Sequence, residues 1–169
     1  MATVQPPARL LDDSFLRFLP AVLREPRRAW LAIPVGWGLS LTGSLLLAAL
    51  FATLTPQLEG PAFPMRGWPA LFLLVVFAPF VETLIMAGLI GLFGKFLRTA
   101  NAIAASAIAW GAFHSLQALG WGLVIWWPFL IFSTLYVVWR ARGFWTAIGV
   151  VAATHALQNL GPGLMVAFG

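Results

Sequence analysis

Five long apolar runs, joined by short connections, constrain this chain more than any other feature. They cover roughly Trp30–Leu54, Trp68–Phe93, Thr99–Leu119, Trp121–Trp139 and Phe144–Phe168. Each is close to the ~20 residues that a helix needs to cross the hydrocarbon core of a bilayer. A chain of 169 residues that is 61% hydrophobic and 9% charged cannot cover such runs with polar surface, since soluble domains carry about a quarter charged residues. The expected fold is therefore all-α: a polytopic integral membrane helical bundle of about five transmembrane helices. Residues 29–169 form the transmembrane domain, and residues 1–28 a cytoplasmic or interfacial N-terminal segment.

The N-terminal segment holds half of the ten basic residues. Leu11, Phe15, Phe18, Leu19 and Val22 fall on one helical face, with Asp12, Asp13, Arg17 and Arg24 on the other, and "DDS" can start the helix. This predicts an amphipathic helix lying on the membrane surface. No small-residue cleavage site stands out and the apolar run begins late, so a signal peptide is not expected.

Charge positions give the orientation. Arg24, Arg27 and Arg28 precede the first run, Lys95 and Arg98 separate the second from the third, and Arg140 and Arg142 separate the fourth from the fifth. The remaining loops hold only Glu59 and Arg66. The positive-inside rule then puts the N-terminus in the cytoplasm and the C-terminus outside. Trp30, Trp68, Trp121, Trp139 and Trp145 stand at run ends, as interfacial anchors would, and kinks are expected at Pro34, Pro79 and Pro128. Arginine supplies nine of the ten basic residues, as in GC-rich bacterial genomes, so a bacterial inner membrane is the expected location. The net charge of +5 is dispersed, which gives no support for nucleic-acid binding. Without cysteine there are no disulfides, thiolate metal sites or cysteine nucleophiles.

Three ionisable side chains lie well inside the runs: Glu82, His114 and His155, the last two being the only histidines of the chain. An intramembrane carboxylate costs at least ~2.5 kcal/mol at a helix centre, so such residues usually face a bundle interior and mark function. Asn159 follows His155 by one turn, on the same helix face. Counting from the cytoplasmic ends at 1.5 Å per residue, Glu82 and His155 come out at ~16 Å and His114 and Asn159 at ~22 Å, one layer near the midplane of a ~30 Å core. Taken singly, each has a plain structural reading: a neutral carboxyl group, a histidine bonded to a carbonyl, an asparagine joining helices. Their coincident depth favours a site. Ser106, Ser115, Gln117, Ser133, Thr134 and Gln158 are read as packing or interface groups.

A glutamate beside imidazole can hold and deprotonate water, and an imidazole N–H with an amide one turn away can donate to a developing oxyanion. That set suffices for peptide hydrolysis without a covalent intermediate. Glu82, His114 and His155 also make a three-ligand zinc set with an open water position, and spacing leaves both chemistries open. The local HEXXH motif is absent.

"PFVETLIMAG" (Pro79–Gly88), "WGAFH" (Trp110–His114) and "HALQN" (His155–Asn159) resemble, in order and spacing, the three motifs of the CPBP intramembrane proteases, the CAAX-protease and bacteriocin-processing family. The usual forms of these motifs are P-x-x-E-E-x-x-x-R-G, F-x-x-x-H and H-x-x-x-N. The resemblance covers about residues 68–160. It implies a glutamic-type intramembrane endopeptidase in which Glu82 is the catalytic glutamate, His114 works with it on water, and His155 and Asn159 form the oxyanion site. No cofactor is then expected, although zinc on Glu82, His114 and His155 is the family's other description. The substrate would be a membrane-anchored protein or peptide cut near a transmembrane segment, such as a bacteriocin leader or a C-terminal sorting anchor as in the myxosortase-like branch. The chain departs from the pattern at Thr83, where the family has its second glutamate, and at Ala87, where it has arginine; the aromatic of the second motif is Trp110 instead of phenylalanine. The lost pair is one turn apart and of opposite charge, which reads as loss of a supporting ion pair. The competing readings are an inactive relative that binds a partner membrane protein, a two-histidine haem protein on His114 and His155, and a proton-linked transporter using Glu82.

Overall fold

The computed structural model describes residues 11–58 and 60–169; residues 1–10 of the expected N-terminal segment, and Glu59, lie outside this description. All regular secondary structure among the described residues is helical. A short helix α1 (Ala21–Arg24) precedes α2 (Ala29–Leu54). Helix α3 (Gly67–Phe72) continues through a π-helical stretch, Leu73–Phe77, into α4 (Ala78–Phe93). Helices α5 (Thr99–Ser115), α6 (Leu119–Trp139) and α7 (Phe144–Phe168) complete the bundle. Among the described residues three helical units are long and apolar enough to cross a membrane: Ala29–Leu54, Gly67–Phe93 and Leu119–Arg142. These make the chain a membrane protein. The other two apolar runs are also helical: α5 has 17 residues and α7 has 25. They are ~26 and ~38 Å long at 1.5 Å per residue.

The expected amphipathic N-terminal helix is not a single helix. Ser14 caps a 3-10 turn, Phe15–Phe18, by accepting from the Leu16 N–H, and Leu19 is extended before Pro20. Proline disfavours helix at the residue before it and brings no N–H of its own, so the segment breaks there. The buried face is correspondingly different: Leu16, Leu19 and Leu23 enter the core, while Phe15 and Phe18 are exposed. Arg24 is buried as well, donating from Nε to the Leu19 carbonyl at 2.9 Å and pairing with Asp12. The described part of this segment is thus packed against the bundle, with its leucines in the same apolar cluster as Ile131, Leu135 and Val151.

Helix α6 is the centre of the bundle. Phe129, Ile131, Phe132, Leu135 and Val138 are all essentially inaccessible, and α5, α2, α7 and α4 all pack against it. Glycine makes the closest of these approaches possible. A Cβ on Gly122 would collide with Ser115 Oγ and the Gly111 carbonyl of α5, and one on Gly43 with the Trp127 indole. That indole crosses from α6 to donate to the Leu39 carbonyl of α2 at 2.9 Å. Ser133 and Ser106 join α6 to α5 (3.2 Å), and Gln158 of α7 accepts from Ser40 of α2 (2.8 Å). Gly143, at φ 117°, turns the chain from α6 into α7.

Trp30, Trp68 and Trp145 are exposed at helix starts, where anchors belong. Trp139 is not an anchor: it is buried, because it continues the inward face of α6 occupied by Leu135 and Val138. Trp121 is half-buried against Phe63 and His114.

Candidate active site

The site begins with a proline. Pro79 has no N–H, so the carbonyls one turn before it cannot all find helical partners. The helix responds by widening. The Ala78 N–H bonds to Leu73 O, five residues back, and Leu73–Phe77 becomes π-helical. In that register the partner of Leu74 O would be the N–H of residue 79, which does not exist. Asn159 supplies it from α7, Nδ2 donating to Leu74 O at 2.9 Å. Gly163 lets α7 come this close, since a Cβ there would stand 2.7 Å from Val75 Cγ2. One turn past the widened stretch, Glu82 projects inward from α4.

Glu82 meets His155. Its Oε2 is 3.7 Å from His155 Nε2, with the histidine side chain 5% and the carboxylate 23% accessible. The imidazole is fixed from the other side by aromatic rings: it stacks on Phe132 at 4.6 Å and meets Phe129 edge-on at 5.4 Å. Its Nδ1 is buried and has no hydrogen-bond partner among the described residues. A carboxylate oxygen beside Nε2 and an apolar wall around Nδ1 together favour the tautomer protonated at Nε2, which aims its N–H at Glu82 and leaves an acceptor, the less costly orphan, in the wall.

His114 takes the opposite tautomer. Its Nδ1 lies 2.8 Å from the Trp110 carbonyl of the preceding turn. A carbonyl only accepts, so Nδ1 carries the proton and Nε2 of the neutral ring is the free base. Trp121 packs edge-on against the ring at 4.4 Å, and Phe63 of the proline-rich loop packs on Trp121 at 5.7 Å.

Glu82, His114, His155 and Asn159 all line one cavity of ≈ 290 Å³. Its other walls are largely apolar, built from α2, the 55–66 loop, α6 and α7. The four polar residues thus reach one space from three helices. Their pairing differs from the division of labour the resemblance implies: His155, not His114, faces Glu82, and Asn159 spends one of its two amide N–H groups on Leu74 O. The second N–H of Asn159 remains as a donor.

Thr83 and Ala87, where the motif that this segment resembles has glutamate and arginine, are buried at 1% and 8% accessibility. Thr83 Oγ1 donates to Pro79 O at 2.6 Å. Small side chains here let α4 seat against its neighbours without burying charge.

Sequence reasoning missed the aromatic frame (Phe129, Phe132, Trp121) and Ser44 and Gln158, which also line the cavity. It missed Pro162 too, although an intrahelical proline beyond Pro34, Pro79 and Pro128, close to the His155–Asn159 motif, was a readable signal. Among the described residues no three His, Asp or Glu side chains stand close enough to hold one metal ion. The Nδ1 bond to Trp110 O leaves His114 Nε2 unprotonated, as in a metal-ligating histidine, but as oriented here Glu82, His114 and His155 do not gather into one metal site. No protein-family model, curated protein or solved structure matches the chain.

Proposed function

We propose that this protein is an intramembrane endopeptidase of the CPBP type, hydrolysing a peptide bond of a membrane-anchored protein or peptide near its transmembrane segment. The observation that carries the reading is the convergence of Glu82, His114, His155 and Asn159 on one largely apolar cavity, with Glu82 and His155 3.7 Å apart. In this reading α5 and α7 also cross the membrane, the N-terminus is cytoplasmic, the C-terminus is outside, and the bilayer is the inner membrane of a bacterium.

In the proposed mechanism, water in the cavity gives a proton to the Glu82 carboxylate as its oxygen attacks the scissile carbonyl carbon. The carbonyl π electrons move onto oxygen, and the oxyanion accepts from the His155 Nε2–H and the second Asn159 N–H. The C–N bond then breaks, and the proton on Glu82 passes to the leaving amine, so atoms and charge balance. His114, with Nε2 unprotonated, orients the water from the other wall.

The test compares host membranes carrying wild-type protein with membranes carrying Glu82→Gln at matched expression, by mass spectrometry of anchor-proximal and C-terminal peptides. Defined substrates that persist uncut only in the variant support the protease. Identical peptide maps, together with a phenotype on deletion of the whole protein, would move the function to partner binding. The engagement of Asn159 by a backbone carbonyl and the absence of the family's Glu–Arg pair favour that second reading over the haem and transporter ones.

A further inference from the structure

The segment before α2 is apolar on two sides. Leu16, Leu19 and Leu23 enter the core, while Phe15 and Phe18 are exposed. Those two stand three apart on a 3-10 turn, whose period of three puts both on one side. Trp30, also exposed, follows at the start of α2, a helix long and apolar enough to cross a membrane. A segment with leucines packed inward and aromatic rings turned outward, at the end of such a helix, belongs to the bilayer interface. Between α1 and the start of α2 lies a cavity of ≈ 280 Å³, lined by Ala21, Val22, Glu25, Arg27, Arg28 and Leu31. Both arginines are exposed, and Glu25 stands 3.8 Å from Arg27, well beyond the ~2.8 Å of a charge-assisted hydrogen bond. The lining therefore carries a positive charge in excess, next to an apolar wall of Val22 and Leu31. Among the described residues none lines both this cavity and the chamber that holds Glu82.

We propose that this cavity binds the headgroup of an anionic phospholipid, its phosphate held by Arg27 and Arg28 and the start of its acyl chains laid along Val22 and Leu31. Guanidinium groups match phosphate oxygens in pairs of hydrogen bonds, and they are less strongly hydrated than ammonium groups, so they suit an interface. Charge complementarity selects the lipid. A phosphodiester of charge −1 balances the two arginines and Glu25 together. A zwitterionic lipid brings its own ammonium group toward the same arginines and gains less. A soluble phosphate has nothing to set against Val22 and Leu31. Because the cavity is shared by α1 and α2, a lipid seated in it touches both and stabilises the folded chain by mass action. The site is independent of the endopeptidase reading, and neither depends on the other.

The test uses the full chain in a non-ionic detergent. It is titrated with dioctanoyl phosphatidylglycerol, with dioctanoyl phosphatidylcholine and with inorganic phosphate, and read by native mass spectrometry and by the thermal midpoint. Phosphatidylglycerol is expected to bind saturably and raise the midpoint, and the other two to do neither at the same concentrations. Arg27→Gln and Arg28→Gln should each weaken phosphatidylglycerol about fivefold, and together about twentyfold or more, the scale for interfacial arginines. Without lipid their midpoints should match wild type, since both side chains are exposed. Arg27→Lys with Arg28→Lys keeps the charge and should keep saturable binding, which separates attraction from folding should the glutamine variants prove unstable. Arg140→Gln with Arg142→Gln removes the same charge elsewhere and should leave the affinity within about twofold, because surface charges beyond a Debye length are screened. An equal response to phosphatidylcholine makes the contact one with detergent-like lipid only. An equal response to inorganic phosphate makes it an anion site without a lipid. Either result overturns the proposal, as does an undiminished phosphatidylglycerol response in the glutamine pair or an equal loss in the Arg140 and Arg142 pair.

Discussion

Glu82 of α4 and His155 of α7 face each other across 3.7 Å, while the ring of His155 lies stacked on Phe132. The separation is longer than a direct hydrogen bond and suits a pair that closes on a shared water or oxyanion. Because His155 is held by aromatic contacts, its chemistry and its packing can be separated. His155→Phe keeps a ring in the wall and removes Nε2, so the thermal midpoint should hold or rise, since a buried nitrogen without a partner is lost. Proteolysis, once a substrate is known, should drop by about 10² to 10³-fold, the usual scale for loss of an oxyanion donor. A midpoint that falls steeply would make His155 a structural residue instead.

Asn159 has one measurable duty whatever the chemistry: it satisfies Leu74 O. Asn159→Leu is expected to destabilise the protein by about 1 kcal/mol or more, the scale for a part-buried acceptor left without its donor. Asn159→Asp should be at least as damaging, because an ionised carboxylate only accepts and would face a carbonyl oxygen. Unfolding in detergent, followed by the fluorescence of the nine tryptophans, measures both. Equal stability of the three proteins would mean that the π-helical stretch stands without this tie.

Thr83 and Ala87 test the missing ion pair. Thr83→Val removes the bond to Pro79 O and little else, so a loss within ~1 kcal/mol is expected. Thr83→Glu puts an unpaired carboxyl group at a 1% accessible position and should cost ~3 kcal/mol or more. Adding Ala87→Arg one turn away should recover part of that loss, giving a positive coupling in a double-mutant cycle. If the double variant is no better than Thr83→Glu alone, these positions cannot host the pair in this chain.

The helices were largely legible in the sequence, because what ends them is chemical: Thr55 and Pro56 after α2, Gly94 after α4, Gly143 before α7. The run expected to reach Leu119 stops as a helix at Ser115, since Ala118 turns extended to begin α6. The four polar residues were legible because membrane depth follows from counting along a helix. Rotation about the helix axis does not, so the pairing of Glu82 with His155 rather than His114, and the inward turn of Trp139, had no signal in spacing. Pro79 was visible as a kink. That the kink would be a π-helical stretch bonded by Asn159 depended on how closely Gly163 lets α7 approach.

The glycines of α6 and α7 give the sharpest contrast in packing. A Cβ on Gly122 would run into the backbone of α5, at the Gly111 carbonyl, which cannot move aside as a side-chain tip can. Gly122→Ala should therefore separate the α5–α6 hairpin and cost about 1–3 kcal/mol or more, the range for overpacked interiors. Because His114 and Trp121 sit at that end of the hairpin, the same change should shift the tryptophan fluorescence. Gly149, in the second turn of α7, has nothing within 4 Å of its would-be Cβ and is exposed. Gly149→Ala should gain the ordinary helix-propensity advantage of alanine, ~0.5–1 kcal/mol. Thermal unfolding of the two variants beside wild type decides the matter: opposite signs support the close α5–α6 contact, and a neutral Gly122→Ala would show that the two helices do not meet there.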